Sequence, residues 1–117
     1  MVFSDDVSKL RETIMKATPE NKVKAKLKAY LDTIPKLFHY SATAGIYSTG
    51  GIPDIVGVHN GRFFAIEVKA PGRRGERNRG ASALQMQCMA KIYAANGFTM
   101  VYDGEEVDQR KLEAWIG

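Results

Sequence analysis

Two carboxylates and a lysine lie on consecutive apolar segments that a short turn connects. Pro53-Asp54 begins the first segment, Glu67-Val68-Lys69 ends the second, and Asn60-Gly61 lies between them. Asn-Gly between two apolar runs predicts a two-residue hairpin, because both central positions of a type I′ turn need a positive φ. In that hairpin His59 pairs with Arg62, and counting back along the strands sets Asp54 opposite Glu67.

This register places like charges side by side. Opposed Cβ atoms of an antiparallel pair are about 4.5–5.5 Å apart, and like charges at that distance are destabilising. Lys69 lies two residues beyond Glu67, so the two-residue period of a strand returns its side chain to the same face. A divalent cation next to the ammonium group of Lys69 would compensate both carboxylates. The pattern therefore predicts a metal site that includes Asp54 and Glu67.

Both faces of the predicted strand pair are apolar away from the charged end. One face carries Val56, Val58, Phe63 and Ala65, and the other carries Ile55, Gly57, Phe64, Ile66 and Val68. A strand pair that is buried on both sides needs helices above and below it. We therefore predict an α/β fold and not a one-faced antiparallel sheet.

Periodicity and capping signals predict the elements around this hairpin. The predicted helices are Asp5–Ala17, a helix from Pro19 behind the N-cap Thr18 that Pro35 ends, a helix from Ser82 to Asn96 that Gly97 stops, and a helix from Glu105 to Ile116. The predicted buried stripes are Val23, Leu27, Tyr30, Leu31 and Ile34 in the second helix, and Val107, Leu112 and Trp115 in the last. Further strands are predicted at Leu37–Ala42 and Phe98–Tyr102, and a glycine-rich approach to the hairpin at Thr43–Gly51.

Length and composition indicate one small globular domain that spans residues 1–117. A chain of 117 residues with 44% hydrophobic residues has room for one core. No apolar run approaches the roughly 20 residues that a membrane span needs. Charged residues such as Asp5, Lys9 and Arg11 stand where a signal peptide would be apolar. We expect a cytoplasmic protein without a membrane partner.

The cysteine and the histidines show no pattern of a catalytic or metal site. Cys88 is the single cysteine of the chain, and it lies four residues from both Leu84 and Ile92 on a predicted helix. This spacing is typical of a small buried hydrophobe. His39 and His59 have no metal-ligand spacing to each other or to Cys88.

Positive charge is concentrated in two segments. The first contains Lys22, Lys24, Lys26 and Lys28, and the second is the loop Pro71–Gly80 with Arg73, Arg74, Arg77 and Arg79. Arginine forks onto phosphate oxygens, and glycines let the backbone approach a ligand closely. We predict that the four arginines contact phosphate, and we include Lys22 and Lys26 as candidate DNA contacts. A solvated helix face explains the lysines equally well.

Two polar residues have both a structural and a functional interpretation. Glu20 could point toward the pocket of Asp54 and Glu67, but an acidic residue in the first turn of a helix is also favoured by the macrodipole. Gln85 follows Ser82 with the spacing of a capping box, in which the glutamine side chain bonds back to the N-cap amide.

The motifs resemble those of a known nuclease family. Gly51-Ile52-Pro53-Asp54, Glu67-Val68-Lys69 and Ser82-Ala83-Leu84-Gln85 are similar to the motifs of the virus-type replication-repair nuclease (VRR-NUC) domain, a branch of the PD-(D/E)xK nuclease superfamily. The resemblance extends from Glu20 to Val101. It implies a restriction-endonuclease-like core, with a central mixed β-sheet flanked by helices.

The resemblance also implies roles for individual residues. Asp54, Glu67 and the backbone carbonyl of Val68 would bind Mg²⁺ or Mn²⁺, which prefer such oxygen ligands. Glu20 would match the acidic residue of the first core helix near the metal. Lys69 would orient or activate the attacking water, and Gln85 would match the family's active-site glutamine.

The implied activity is hydrolysis of DNA phosphodiesters. Stand-alone members that resemble this chain, from phages and bacteria, are associated with homodimers that cut four-way (Holliday) junctions, which implies a bacterial or phage-infected cell. The chain contains no helix-turn-helix or zinc finger, so we expect recognition of DNA structure more than of sequence. Two alternatives are open: a flap, nick or restriction-like nuclease, and a non-catalytic nucleic-acid-binding module on the same fold.

Overall fold

The computed structural model describes residues 18–42 and 50–117. The predicted helix Asp5–Ala17 and most of the predicted segment Thr43–Gly51 lie outside these residues. The described elements, in chain order, are α1 (Pro19–Leu31), β1 (Leu37–Ser41), β2 (Ile55–His59), β3 (Arg62–Val68), a short 3₁₀ turn (Arg77–Gly80), α2 (Ala83–Ala94), β4 (Phe98–Tyr102) and α3 (Glu106–Ile116).

The predicted hairpin forms the centre of a mixed sheet with strand order β1-β2-β3-β4. Asn60 and Gly61 have φ values of 49° and 84°, and His59 pairs with Arg62. The prediction of the turn and its register is therefore confirmed. β1 pairs antiparallel with β2, whereas β4 pairs parallel with β3 after a crossover through α2.

Helices lie on both sides of this sheet, as the apolar strand pair predicted. α1 and α3 pack on one face through Leu27, Leu31 and Leu112, which are at most 1% exposed. The strands contribute Ile55, Phe64, Ile66, Val68, Met100 and Tyr102 to this core. α2 lies over the opposite face, where it contacts β3 and β4. The protein thus has an α/β fold with a four-stranded mixed sheet flanked by helices.

The far end of the hairpin is less covered than we predicted. Val58 and Phe63 are 38% and 44% exposed, although both belong to the face that we expected to be buried. α2 contacts β3 and β4 much more than β1 and β2, so it leaves this part of the face open. Burial on both sides is confined to the end of the hairpin near Asp54 and Glu67.

Two predicted helix ends are displaced. α1 ends at Leu31, before Pro35, because the amide and the hydroxyl group of Thr33 both donate to the carbonyl of Tyr30. Proline also disfavours the helical conformation of the residue before it. α2 ends at Ala94, and Asn96, with φ of 70°, takes the left-handed position that we assigned to Gly97.

The inward face of α3 differs from the predicted stripe. Leu112 is fully buried and Trp115 is half-buried, but Val107 is 59% exposed and the neighbouring Asp108 is 3% exposed. Asp108 points inward because two arginine side chains bind its carboxylate, as described below. The prediction of Val107 as a core residue was wrong.

Among the residues that the structure describes, no helix combines the length and the apolar character needed to cross a bilayer. Cys88 is a free, half-buried thiol on α2.

Substitutions in α3 test which of its residues face the core. We expect Leu112→Ala to lower the free energy of unfolding by about 2–5 kcal/mol, because it leaves a cavity where a fully buried side chain was. Val107→Ala is the matched control and should change it by less than about 0.5 kcal/mol. Urea unfolding measures both values, and a larger loss for Val107→Ala would contradict the observed orientation of α3.

Candidate functional site

The hairpin brings both motif carboxylates and the motif lysine to one end of the sheet. Asp54 immediately precedes β2, Glu67 lies near the end of β3, and Lys69 follows β3. Oδ2 of Asp54 accepts a hydrogen bond of 2.9 Å from the amide of Val68, which ties the two strands together here. The ammonium group of Lys69 lies 3.1 Å from Oε2 of Glu67.

Glu67 is a buried carboxylate with one oxygen unused. Its side chain is 3% exposed. Oε2 is contacted by the side chains of Lys69 and Gln85, whereas Oε1 has no hydrogen-bond partner among the described residues. Burial, and then the negative charge of Asp54, raise the pKa of Glu67, although the hydrogen bond and charge of Lys69 act against this. A buried acceptor without a partner is costly, so this oxygen is suited to bind a cation or a donor.

Gln85 joins the start of α2 to this carboxylate. Its Oε1 accepts a hydrogen bond of 2.8 Å from the amide of Ser82, and the amide of Gln85 donates to the Ser82 hydroxyl, so the predicted capping box is present. Its Nε2 donates to Oε2 of Glu67 at 2.8 Å. One amide group thus caps the helix and also contacts Glu67. The structural interpretation of Gln85 is confirmed, and its active-site role stays a prediction.

Gly51 allows α2 to approach the Pro53-Asp54 segment. Its φ is +98°, and a Cβ atom at this position would lie 2.6 Å from the backbone carbon and oxygen of Leu84. A side chain at residue 51 would therefore displace the first turn of α2. That turn holds Gln85 against Glu67.

Lys24 is the residue of α1 that reaches Asp54. Its Nζ lies 3.5 Å from Oδ1 of Asp54, and both side chains are about a quarter exposed. We did not predict this contact, because Lys24 appeared only as one of four lysines on a basic helix. The signal that could have found it is the spacing of four residues from Glu20, which places both side chains on one face of α1.

Glu20 lies in the first turn of α1 and is half-buried. Within residues 18–42 and 50–117, no group of three or more His, Cys, Asp or Glu side chains is close enough to hold a metal ion. Glu20 therefore does not form such a group with Asp54 and Glu67.

The donor set at Asp54 and Glu67 nevertheless fits a small divalent cation. Mg²⁺ typically binds one or two protein carboxylates and keeps several waters. Two carboxylates are present: Asp54 is partly exposed, and Oε1 of Glu67 is buried without a hydrogen-bond partner among the described residues. Hard oxygen donors of this kind suit Mg²⁺ or Mn²⁺ better than zinc.

Comparisons with protein-family models, curated proteins and solved structures gave no match to this chain. The resemblance to the VRR-NUC family thus rests on the motifs.

Two arginines of the loop bind acidic residues of the protein itself. Arg74 lies 3.0 Å from both Asp103 and Asp108, and it also pairs with Glu105. Arg79 binds the same two aspartates at 3.1 and 2.6 Å. Contact of either arginine with phosphate would have to compete with these pairs. The network also fixes the loop against the end of β4 and the start of α3.

The other predicted DNA contacts are more accessible. Arg73 is paired with Glu76 at 2.8 Å. Arg77 is exposed and makes no hydrogen bond or ion pair to another described residue. Lys22 and Lys26 are exposed on α1, where they border a cavity of about 360 Å³ that Pro71 and Gly104 also line.

The binding of the buried Asp108 by two arginines predicts sensitivity to acid. Burial by itself would raise the pKa of Asp108, but hydrogen bonds from Arg79 and the amide of Asp103 outweigh it, so the pKa lies below its ordinary value. A lowered pKa stabilises the fold fully above the unfolded value, about 3.9. This stabilisation is lost as the pH falls through the folded value.

We expect Asp108→Asn to lower the free energy of unfolding by about 2 kcal/mol at pH 7, because Arg74 and Arg79 each lose one of their carboxylate partners. The difference from wild type should shrink at pH 3, measured by urea unfolding at both values. Glu106→Gln, which removes a surface pair with Arg110, is the control and should have an effect below about 0.5 kcal/mol. An equal loss for Asp108→Asn at both pH values would contradict the lowered pKa.

Proposed function

We propose that this protein is a divalent-metal-dependent, structure-specific DNA endonuclease of the VRR-NUC type, with a restriction-endonuclease-like core. The environment of Glu67 is the observation that best supports this proposal. Its carboxylate is buried next to Asp54, is contacted by Lys69 and Gln85, and retains one oxygen without a partner. Such an arrangement lowers the stability of the fold, and carboxylates with perturbed pKa values cluster at functional sites.

Asp54, Glu67 and the backbone carbonyl of Val68 would hold Mg²⁺ or Mn²⁺. When bound, the cation supplies Lewis acidity toward a phosphate oxygen and lowers the pKa of a nearby water. Glu20 is not needed as a direct ligand in this proposal, because two carboxylates suffice for Mg²⁺.

The side chains around these carboxylates have separate tasks. The ammonium group of Lys69 orients the attacking water and stabilises the negative charge that develops on the phosphate. Gln85 holds the Glu67 carboxylate in one orientation through its Nε2, while the capping box fixes the amide group itself. A fixed amide loses little entropy when it positions a reacting group.

DNA would be bound through its backbone. Arg77, Lys22 and Lys26 are exposed and are available to phosphates, whereas Arg73, Arg74 and Arg79 are engaged in ion pairs. Backbone contacts position DNA without reading its sequence, which favours recognition of branched structure. A four-way junction has two symmetric strands to cut, so a homodimer with two related active sites suits this substrate. Flap, nick or restriction-like substrates are the alternatives for the same chemistry.

A non-catalytic nucleic-acid-binding module is the competing proposal. One observation favours it: within the described part of the chain, Asp54 and Glu67 have no third acidic or histidine partner for a metal. A pure binding protein, however, gains nothing from carboxylates that face phosphate. Cleavage assays separate the two proposals.

We expect the wild-type protein to cut labelled four-way junctions in a paired fashion with Mg²⁺ or Mn²⁺, and not with EDTA. Asp54→Ala should reduce the rate by more than about a hundredfold, because the loss of a metal ligand removes several kcal/mol of stabilisation from the transition state. Linear duplex and flap DNA measured in parallel give the structural preference. Glu106→Gln is a control for loss of an exposed acidic residue that pairs with Arg110 and does not contact Asp54 or Glu67.

If no substrate is cut while binding weakens with rising salt, the protein is a binding module. Preferential cutting of flaps or linear duplex would keep the nuclease and change its substrate.

The two tasks of Gln85 can be separated by a pair of variants. Ser82→Ala removes the hydroxyl that accepts from the amide of Gln85, and should cost about 1 kcal/mol of stability while the cleavage rate changes less than about twofold. Gln85→Glu keeps a capping-box acceptor but replaces the donor to Glu67 with a second carboxylate. We expect its rate under single-turnover conditions to fall at least about tenfold. A comparable loss of rate in both variants would show that the cap alone matters.

A further inference from the structure

Lys24 and the motif lysine stand next to different carboxylates of the candidate site. Lys69 contacts Glu67 at 3.1 Å, and Lys24 contacts Asp54 at 3.5 Å. The contact of Lys24 is with Oδ1, whereas Oδ2 of Asp54 accepts from the amide of Val68. The ammonium group of Lys24 therefore lies next to Oδ1, and the other oxygen of Asp54 is the one that accepts a backbone hydrogen bond.

The two lysines are held to different degrees. Lys69 is 11% exposed and its ammonium group also lies 3.5 Å from Oε1 of Gln85. Lys24 is 23% exposed, and its ammonium group has Asp54 as its one partner among the described residues. A lysine on a flexible four-carbon stem that makes one long contact can move away from its partner at a small cost in free energy. Lys24 is thus the movable cation of the pair.

The formal charges of the four side chains in direct contact are already balanced. The carboxylates of Asp54 and Glu67 carry two negative charges, and the ammonium groups of Lys24 and Lys69 carry two positive charges. A divalent cation adds two positive charges in a partly buried place, where charges repel more strongly than in water. Movement of Lys24 away from Asp54, or the arrival of a new negative charge, therefore favours binding of the cation.

We propose that Lys24 substitutes for the divalent cation beside Asp54 in the DNA-free protein and thereby makes metal binding depend on DNA. This inference rests on the proposed function. A phosphodiester supplies the missing negative charge and offers the ammonium group of Lys24 an alternative partner. Coupling between two ligands is reciprocal, so metal should also tighten the binding of DNA. Lys24 is a positioning residue in this scheme.

The test measures metal binding directly. Mn²⁺ is titrated into the DNA-free protein, and free Mn²⁺ is followed by its electron paramagnetic resonance signal. We expect Lys24→Met, which keeps an apolar stem without the charge, to bind Mn²⁺ on the order of tenfold more tightly than wild type. Lys28→Met removes a lysine one turn further along α1 and should bind like wild type. Lys24→Arg keeps the charge and should stay near wild type.

A second titration adds an unmodified four-way junction at low temperature and is completed before the junction is cut. The junction should tighten Mn²⁺ binding on the order of tenfold in wild type, and clearly less in Lys24→Met. An equal gain in both proteins overturns the proposal. Thermal unfolding of each variant confirms that it is folded before it is compared.

The outcomes distinguish this inference from the proposed function. If wild type binds Mn²⁺ and cuts junctions, but Lys24→Met binds Mn²⁺ no more tightly, the role of Lys24 is overturned and the nuclease function stands. If neither protein binds Mn²⁺ with or without DNA, and neither cuts, both proposals fail together.

Discussion

The register of the β2–β3 hairpin determines where the charges of this protein meet. Asn60-Gly61 closes the turn, and each pair that follows is set by the one before it until Asp54 lies across from the end of β3. A slip of one residue would turn every side chain of a strand to the other face. It would move Glu67 and Lys69 into the apolar layer beneath α1 and α3. The buried core and the charged site thus depend on the same two turn residues.

Two pairs of carboxylates lie near the ends of neighbouring strands, and their negative charges are compensated in two different ways. Asp54 and Glu67 are balanced by lysines at longer and fewer contacts, whereas Asp103 and Asp108 are bound by two forked arginines. Arginine forms rigid, multiple hydrogen bonds to carboxylates, and lysine is a point charge on a flexible stem. The arginine pair therefore acts as a structural clamp on the loop. The lysine pair leaves Asp54 partly exposed and leaves Oε1 of the buried Glu67 without a hydrogen-bond partner among the described residues.

Local signals predicted most of the fold, and the side-chain contacts that they missed join residues distant in sequence. The turn at Asn60-Gly61, the Thr18 cap and the capping box of Ser82 each depend on residues within one turn of the chain, and each is present. The pair Lys24–Asp54 joins residues 30 positions apart, and Arg79–Asp108 joins residues 29 apart. Apolar periodicity favoured Val107 as the buried residue of α3. It contains no information that arginines from a distant loop would bind Asp108 instead. The nuclease activity, its metal and its DNA partner remain predictions from the motifs.

The distance between the hairpin and α2 depends on the missing side chain of Gly51. Glu67 and Asp54 are placed by strand pairing, but Gln85 reaches Glu67 because α2 begins against the segment that leads into Asp54. A Cβ at residue 51 would lie 2.6 Å from the backbone of Leu84, and backbone, unlike the end of a flexible side chain, cannot move aside alone. Its φ of +98° also disfavours any other residue. The Pro-Asp and Glu-x-Lys motifs therefore place the charged side chains on the sheet. Gly51, two residues before the proline, allows α2 to pack close enough for Gln85 to contact Glu67.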